Sequence, residues 1–185
     1  MPFIIITCRE VKLEDKTFEV YITEEDLNNA INRLAEKINR DYAGKELFFI
    51  GILNGAFMFA GDLLKKITLP CTISFVKLAS YEGASSSGKV HELIGLVNDL
   101  RNKNVIILED IVDTGLTLDK IYSMIDHDHP SSLEVATLLY KPEAFNGANP
   151  PKYVGKEIEN KFVVGYGLDY NGYGRNTKAV YKLKE

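Results

Sequence analysis

The residue types most able to do chemistry fall together in one short stretch. Residues 105–117 read Val-Ile-Ile-Leu-Glu-Asp-Ile-Val-Asp-Thr-Gly-Leu-Thr: four apolar residues, the acidic pair Glu109 and Asp110, two more apolar residues, then Asp113, Thr114, Gly115, Leu116 and Thr117. The apolar run predicts a buried strand, and the Asp-Thr-Gly-x-Thr behind it predicts the entry to a helix. Open α/β sheets bind ligands at the carboxyl ends of their strands, and a helix N-terminus offers unpaired amides and positive potential to a phosphate. Gly115 lets the backbone come close, and the hydroxyls of Thr114 and Thr117 add donors. Adjacent carboxylates repel each other and seek a cation. Magnesium typically takes one or two carboxylates, several waters and its substrate's oxygens; carboxylates also accept from sugar hydroxyls. Taken singly, Asp113 or Thr117 would cap the helix, and Glu109 and Asp110 would be solvated. Three acids and a Thr-Gly-x-Thr on one turn weigh against that. No Gly-x-x-x-x-Gly-Lys-Ser/Thr segment exists, which disfavours phosphoryl transfer from a nucleotide.

The elements around this turn must hold it. Thr23 followed by Glu24, Glu25 and Asp26 predicts a helix start, and Leu27, Ala30, Ile31, Leu34 and Ile38 repeat with helical spacing until about Gly44. Leu47–Leu53 is nearly continuous apolar sequence ending at Asn54-Gly55, the pattern of a strand buried on both faces, as in parallel sheets. A helix is predicted over 56–67, a strand over 71–79, a pairing strand over 92–97, strands over 104–108 and 133–139, and a helix over 117–126, with Pro130 stopping its continuation. Residues 146–151 form a Gly/Pro/Asn-rich excursion, 162–165 is strand-like, and 179–183 closes the chain. Residues 80–89, Ser-Tyr-Glu-Gly-Ala-Ser-Ser-Ser-Gly-Lys, predict a flexible loop. Strand and helix alternate through the middle, so the expected fold is α/β with a mostly parallel sheet flanked by helices and a small cap from the chain ends.

Length and composition bound the rest. One ordinary domain fits 185 residues, and 45% hydrophobic with 26% charged residues is a globular composition. A net charge of -4 argues against a broad nucleic-acid footprint, so an anionic ligand must be attracted locally. Cys8 and Cys71 are too few for a disulfide framework and read as reduced thiols, pointing to a cytoplasmic home. Residues 1–8 are strand-like rather than a leader, and no run approaches a membrane span. His91, His127 and His129 fit no part of the constellation.

The run 105–117 resembles the signature for phosphoribosyl diphosphate (PRPP) of the type I phosphoribosyltransferases: four apolar residues, two acids, two apolar residues, Asp, Ser or Thr, Gly. A second stretch, Lys161-Phe162-Val163-Val164-Gly165-Tyr166-Gly167-Leu168-Asp169-Tyr170-Asn171, resembles the base-binding segment of the hypoxanthine-guanine phosphoribosyltransferases. Leu138-Leu139-Tyr140-Lys141 resembles the strand bearing that family's base-reading lysine. With Leu53-x-Gly55 and Ser80-Tyr81 the resemblance covers about residues 48–176. It implies the type I phosphoribosyltransferase fold as a single domain, with a core of about 23–165 and a hood from about 1–20 and 166–185.

It also implies purine salvage: transfer of the 5-phosphoribosyl group from PRPP to N9 of hypoxanthine or guanine, with Mg2+ and release of pyrophosphate. By family match Glu109 and Asp110 hold the ribose hydroxyls with the metal close by, Asp169 reaches a second metal through water, and residues 113–117 (Asp113, Thr114, Gly115, Leu116, Thr117) cradle the 5'-phosphate. Asn54, Gly55 and Arg175 bind pyrophosphate, Ser80 and Tyr81 belong to the closing loop, and Asp113 handles the proton at purine N7. Phe162 offers the base an aromatic face, and backbone near Val163 and Asp169 meets position 2 of the ring. Lys141, a pure donor, suits the O6 acceptor of a 6-oxopurine and faces the amino group of adenine badly. Where the family often carries a lysine between Leu and Gly in the pyrophosphate loop, this chain has Asn54, so one positive charge is missing. Dimers and tetramers are the family's habit; neither nucleic acid nor membrane is expected as a partner. Two alternatives stay open: a regulator on the same fold that binds PRPP without transferring it, and a xanthine- or pyrimidine-preferring enzyme. The regulator would usually bring a basic nucleic-acid surface, and none is visible.

Overall fold

The computed structural model describes residues 4–6, 9–79, 91–94, 99–125 and 129–184. Six strands form the main sheet: β4 (Leu47–Leu53), β5 (Cys71–Ala79), β6 (His91–Ile94), β7 (Asn104–Val112), β8 (Ser132–Tyr140) and β9 (Tyr153–Glu157), in the spatial order β6-β5-β4-β7-β8-β9. All neighbours pair in parallel except β5 with the edge strand β6. Three helices cover it: α1 (Glu24–Asp41), α2 (Phe57–Leu64) and α3 (Leu116–Ile125).

Successive side chains of β4 and β7 fall into different cores, because a strand presents alternate residues to opposite faces. Phe49, Ile106 and Leu108 pack with Leu27, Ile31 and Leu34 of α1 and with Phe59 and Leu63 of α2. Phe48, Ile50, Val105 and Ile107 pack with Leu118, Ile121 and Ile125 of α3. Both faces are therefore buried, which explains the uninterrupted apolar runs of these two strands. Helix α1 starts where its sequence says: the Thr23 hydroxyl accepts from the Asp26 amide at 3.1 Å, and the apolar stripe from Leu27 to Ile38 is buried.

A second, antiparallel sheet combines both chain ends in the order β1-β2-β3-β11-β10, from β1 (Ile4–Ile6), β2 (Glu10–Leu13), β3 (Lys16–Ile22), β10 (Val163–Val164) and β11 (Val180–Leu183). This is the hood. Its strands run through Ile22 and from Val163, so the boundaries expected at 20 and 166 move inward: Val163 and Val164 pair with β11, not with the main sheet. Two apolar residues carry no information about which sheet they join, because a short strand takes its partner from tertiary packing. The strand β9 is an addition to the sequence reading. It is an edge strand with one fully buried residue, Tyr153, followed by half-buried and exposed positions, so no apolar run betrays it. Tyr153 donates its hydroxyl to Asp41 at 3.1 Å and is flanked by the ammonium groups of Lys37 and Lys152. The predicted helix at 56–67 is shorter, 57–64, and the expected pairing strand at 92–97 occupies His91–Ile94. The loop residues Ser80 and Tyr81 lie outside the described residues. Among the described residues no helix is long and apolar enough to cross a membrane.

Candidate active site

The carboxyl ends of β4, β7 and β8 and the inner edge of the hood enclose a cleft of about 410 Å³. Of the residues singled out in the sequence, Asn54, Gly55, Glu109, Asp110, Asp113, Thr117, Lys141, Phe162, Val163, Asp169 and Arg175 line it. Thr114, Gly115 and Leu116 do not. They line an adjoining hollow of about 240 Å³, which shares Glu109, Asp113 and Thr117 with the cleft.

The acidic pair sits where β7 leaves the sheet. Residues Val105, Ile106, Ile107 and Leu108 are fully buried, and they carry Glu109 into a buried position where its Oε2 has no hydrogen-bond partner among the described residues. Burial, reinforced by the charge of Asp110, pushes the Glu109 carboxyl well above its ordinary range. Burial also lifts Asp110 to about 6; Asp169 adds to the rise, while the amides of Ile111 and Asp110 and the Arg175 guanidinium oppose it. Two acids in this condition want a cation or hydroxyl donors. Among the described residues, no cluster of three or more His, Cys, Asp or Glu could hold a metal by itself. An ion here would complete its shell with ligand oxygens, which is how magnesium binds beside phosphates.

The turn after β7 bends at Gly115, whose φ of 91° is open to glycine and costly for other residues. The Asp119 amide donates to the Gly115 carbonyl at 3.0 Å, and the first residues of α3, Leu116, Thr117 and Leu118, line the hollow. Leu116, at its start, is exposed. The adjacent strand β8 delivers Lys141, whose amide donates to the Val112 carbonyl at 2.9 Å and whose Nζ meets Asp113 Oδ2 at 2.7 Å. The lysine side chain is 8% exposed and the aspartate 42%, so the aspartate keeps an open flank toward the cleft. Read alone, a lysine before proline is a surface residue; here it is buried because an acid 28 positions earlier pairs with it.

The opposite wall is built by two tight turns. Gly165 and Leu168 exchange backbone hydrogen bonds around Tyr166 and Gly167, with φ of 52° and 102°; Tyr170 and Tyr173 do so around Asn171 and Gly172, with φ of 51° and 87°. Positive φ at both central residues is the mark of a type I′ turn, the form that matches strand twist. The first turn aims Leu168 and Asp169 into the cleft. Asp169 accepts from the Gly172 amide at 2.6 Å and pairs with Arg175 Nη2 at 2.6 Å; Arg175 Nη1 donates to the Gly167 carbonyl at 2.7 Å. Phe162 is 48% exposed at the mouth, backed by Phe18 and Tyr170 with ring centres 6.1 Å away in both cases. It is therefore a presented ring and not a core residue.

The Leu53-Asn54 peptide bond is cis, and Gly55 packs so tightly under Asp110 that a Cβ would stand 1.7 Å from its Oδ2. Several further residues contribute that no motif singled out. Lys120 of α3 and Leu168 line the cleft, as do Ile52, Leu53 and Ile111, and Gly167 packs so closely on the Gly55 carbonyl that any side chain there would collide with it. The Asn171-Gly172 pair was the available signal for the second turn, while Lys120 carried none, one helical turn beyond the phosphate motif.

This arrangement brings a helix start, a pair of buried acids, a buried ammonium donor and an aromatic face to one cleft and the hollow that adjoins it. The description "phosphoribosyl transferase domain" matches residues 23–171 of the chain. Over 167 residues the chain is 42% identical to the hypoxanthine-guanine phosphoribosyltransferase of Staphylococcus aureus strain Mu50, covering 90% of this chain and 93% of that protein. Among solved structures it is similar to a hypoxanthine-guanine phosphoribosyltransferase of Bacillus anthracis, with TM-score 0.83 and 36% identity over 90% of this chain and 97% of that one. It is also similar to the Trypanosoma cruzi hypoxanthine phosphoribosyltransferase, with TM-score 0.82 and 34% identity over 90% of this chain and 91% of that one. The chain thus belongs to the phosphoribosyltransferase family, in its hypoxanthine-guanine branch.

Proposed function

We infer that the protein transfers the 5-phosphoribosyl group of PRPP to N9 of hypoxanthine or guanine, giving IMP or GMP and pyrophosphate. The observation that carries this reading is the Lys141–Asp113 pair in the cleft wall, an ammonium donor suited to O6 beside a carboxylate acceptor suited to N7.

Each residue's part follows from its chemistry. The base lies on Phe162 with O6 toward the Lys141 ammonium and position 2 toward the backbone at Val163 and Asp169. Lys141 exchanges its bond to Asp113 for one to O6, and the freed Asp113 carboxylate stabilises the proton that the purine carries at N7 while N9 attacks. The amides and hydroxyls of Thr114, Gly115, Leu116 and Thr117 hold the 5'-phosphate, and Lys120 adds countercharge from the cleft wall. Glu109 and Asp110 accept from the ribose hydroxyls, and the unpartnered Glu109 oxygen and the burial-raised carboxyls of both acids would suit magnesium, with Asp169 as the residue that would help hold a second ion. When bound, magnesium neutralises the negative charge that develops on departing pyrophosphate. Asn54, Gly55 and Arg175 take hold of that pyrophosphate; the ribosyl carbon becomes cation-like as it leaves, so Ser80 and Tyr81 are assigned to a loop that shields it from water. A cytoplasmic dimer or tetramer completes the reading, checked by light scattering.

The test is pyrophosphate release by the purified chain with PRPP and magnesium. Hypoxanthine and guanine should support it, orotate and uracil should not. Release with neither purine would remove the transferase reading and leave a PRPP-binding regulator.

A further inference from the structure

A set of contacts lies behind the cleft rather than in it. Tyr166, at φ 52° in the tight turn 165–168, is buried, and its hydroxyl donates to the Asp62 carboxylate. Asp62 belongs to α2, the helix entered directly from the loop that carries Asn54 and Gly55. Burial raises the Asp62 carboxyl, but hydrogen bonds from Lys65 and Tyr166 outweigh it and hold the group below its ordinary value, so a carboxylate accepts the phenol. Beside this bond, Gly167 touches the Gly55 carbonyl and exchanges two hydrogen bonds with Arg175: its amide to the arginine carbonyl at 2.9 Å, and the guanidinium to its own carbonyl at 2.7 Å. Neither Tyr166 nor Asp62 lines the cleft, whereas Leu168, Asp169 and Arg175 do.

We propose that the Tyr166–Asp62 hydrogen bond is a positioning latch for the pyrophosphate end of the site, locking the hood turn to α2 so that Arg175 and Asp169 stand opposite Asn54 and Gly55. The proposal rests on the transferase reading above and names two positioning residues that act through Arg175 and Asp169. The two walls that must close on one diphosphate come from distant parts of the chain; among the described residues they are joined here by this side-chain hydrogen bond, a glycine contact and the apolar core that Tyr166 and Leu168 share with Phe59 and Leu63 of α2. Releasing the bond lets the turn move away from α2, and a misplacement of about 1 Å in a substrate clamp costs up to about a hundredfold in rate.

The test is a double-variant cycle on the full chain, with steady-state kinetics against PRPP and hypoxanthine and melting temperature recorded for each variant. Tyr166→Phe and Asp62→Ala should each raise the KM for PRPP about tenfold, with the double variant no worse than either, because both remove the same bond. The KM for hypoxanthine at saturating PRPP should shift by less than about twofold, since Lys141, Asp113 and Phe162 do not touch the latch and hypoxanthine has no amino group at position 2 for the backbone at Asp169 to meet. Asp62→Asn keeps an oxygen acceptor and should hold the KM for PRPP within about threefold of wild type, as should Lys65→Ala, which removes only the other partner of Asp62. An unchanged KM for PRPP in Tyr166→Phe, losses that multiply in the double variant, or a tenfold loss in the isosteric Asp62→Asn would each overturn the latch while leaving the transferase intact. Absence of turnover in the wild-type chain would instead overturn the transferase reading, and the latch with it.

Discussion

The two walls of the cleft are made differently. The wall over β7 and α3 comes from one unbroken stretch, 105–117, in which a strand, a turn and a helix start follow each other and every functional group is within a few residues of the next. The hood wall is assembled from β10, two tight turns and Arg175, braced against Gly55 from more than a hundred residues earlier and against Phe18 from the N-terminal hairpin. The contiguous wall is a local structure that neighbouring residues specify. The composite wall exists only once the chain ends have met. The first should fail by losing chemistry, the second by losing alignment.

The largest expected effect is on the contiguous wall. Asp113→Asn should lower kcat by about 10² to 10³ while leaving the KM for PRPP within about threefold, because the acceptor for N7 goes and the phosphate cradle stays; unchanged kcat would take Asp113 out of the reaction. Gly55→Ala strikes the seam between the walls. Its Cβ would fall 1.7 Å from Asp110, so loop or acid must shift, and kcat/KM for PRPP should drop about a hundredfold with a lower melting temperature. Lys141→Ala leaves Asp113 unpaired and O6 without its donor, and should raise the KM for hypoxanthine by roughly 10- to 100-fold, an unmatched polar group costing about 1 to 3 kcal/mol, with PRPP affinity retained.

The pH dependence of the acid pair separates the walls more finely. With Asp110 raised from 3.8 to about 6, the folded protein keeps a proton that the unfolded chain has already released between those values. Its stability therefore falls as pH rises from about 4 to 6, and the cost, on the order of 3 kcal/mol, is fully present above that window. Glu109 acts in the same direction. Denaturant titrations of the ligand-free chain should show this decline, and Asp110→Asn should make it shallower, leaving the part that Glu109 contributes; magnesium and PRPP, which select the ionised pair, should bind more tightly as pH rises through about 6. The smallest effect is expected at Phe162, where leucine removes the ring but keeps apolar contact and should cost the base only about three- to tenfold in KM.

How much was legible follows the same division. The strand and turn of 105–117 announced themselves by apolar run and spacing, and α1 by Thr23 and its stripe. Lys141 and Phe162 could be assigned only by resemblance, since alone each is an ordinary surface or core residue; burial against Asp113 and exposure at the cleft mouth are tertiary outcomes. Strand β9 escaped because an edge strand with a single buried tyrosine has no periodic signature. Gly167 and Tyr166 escaped because their partners, Gly55 and Asp62, are brought to them by the fold alone.

The central claim is that a cradle for ribose phosphate becomes a 6-oxopurine transferase through Lys141 and Asp113. The direct measurement is kcat/KM for hypoxanthine against adenine with the unmodified chain at saturating PRPP and magnesium. A ratio of at least about a hundredfold in favour of hypoxanthine is predicted, because adenine would set an amino donor against the buried ammonium. Equal use of adenine would contradict the assignment of the lysine and of the base.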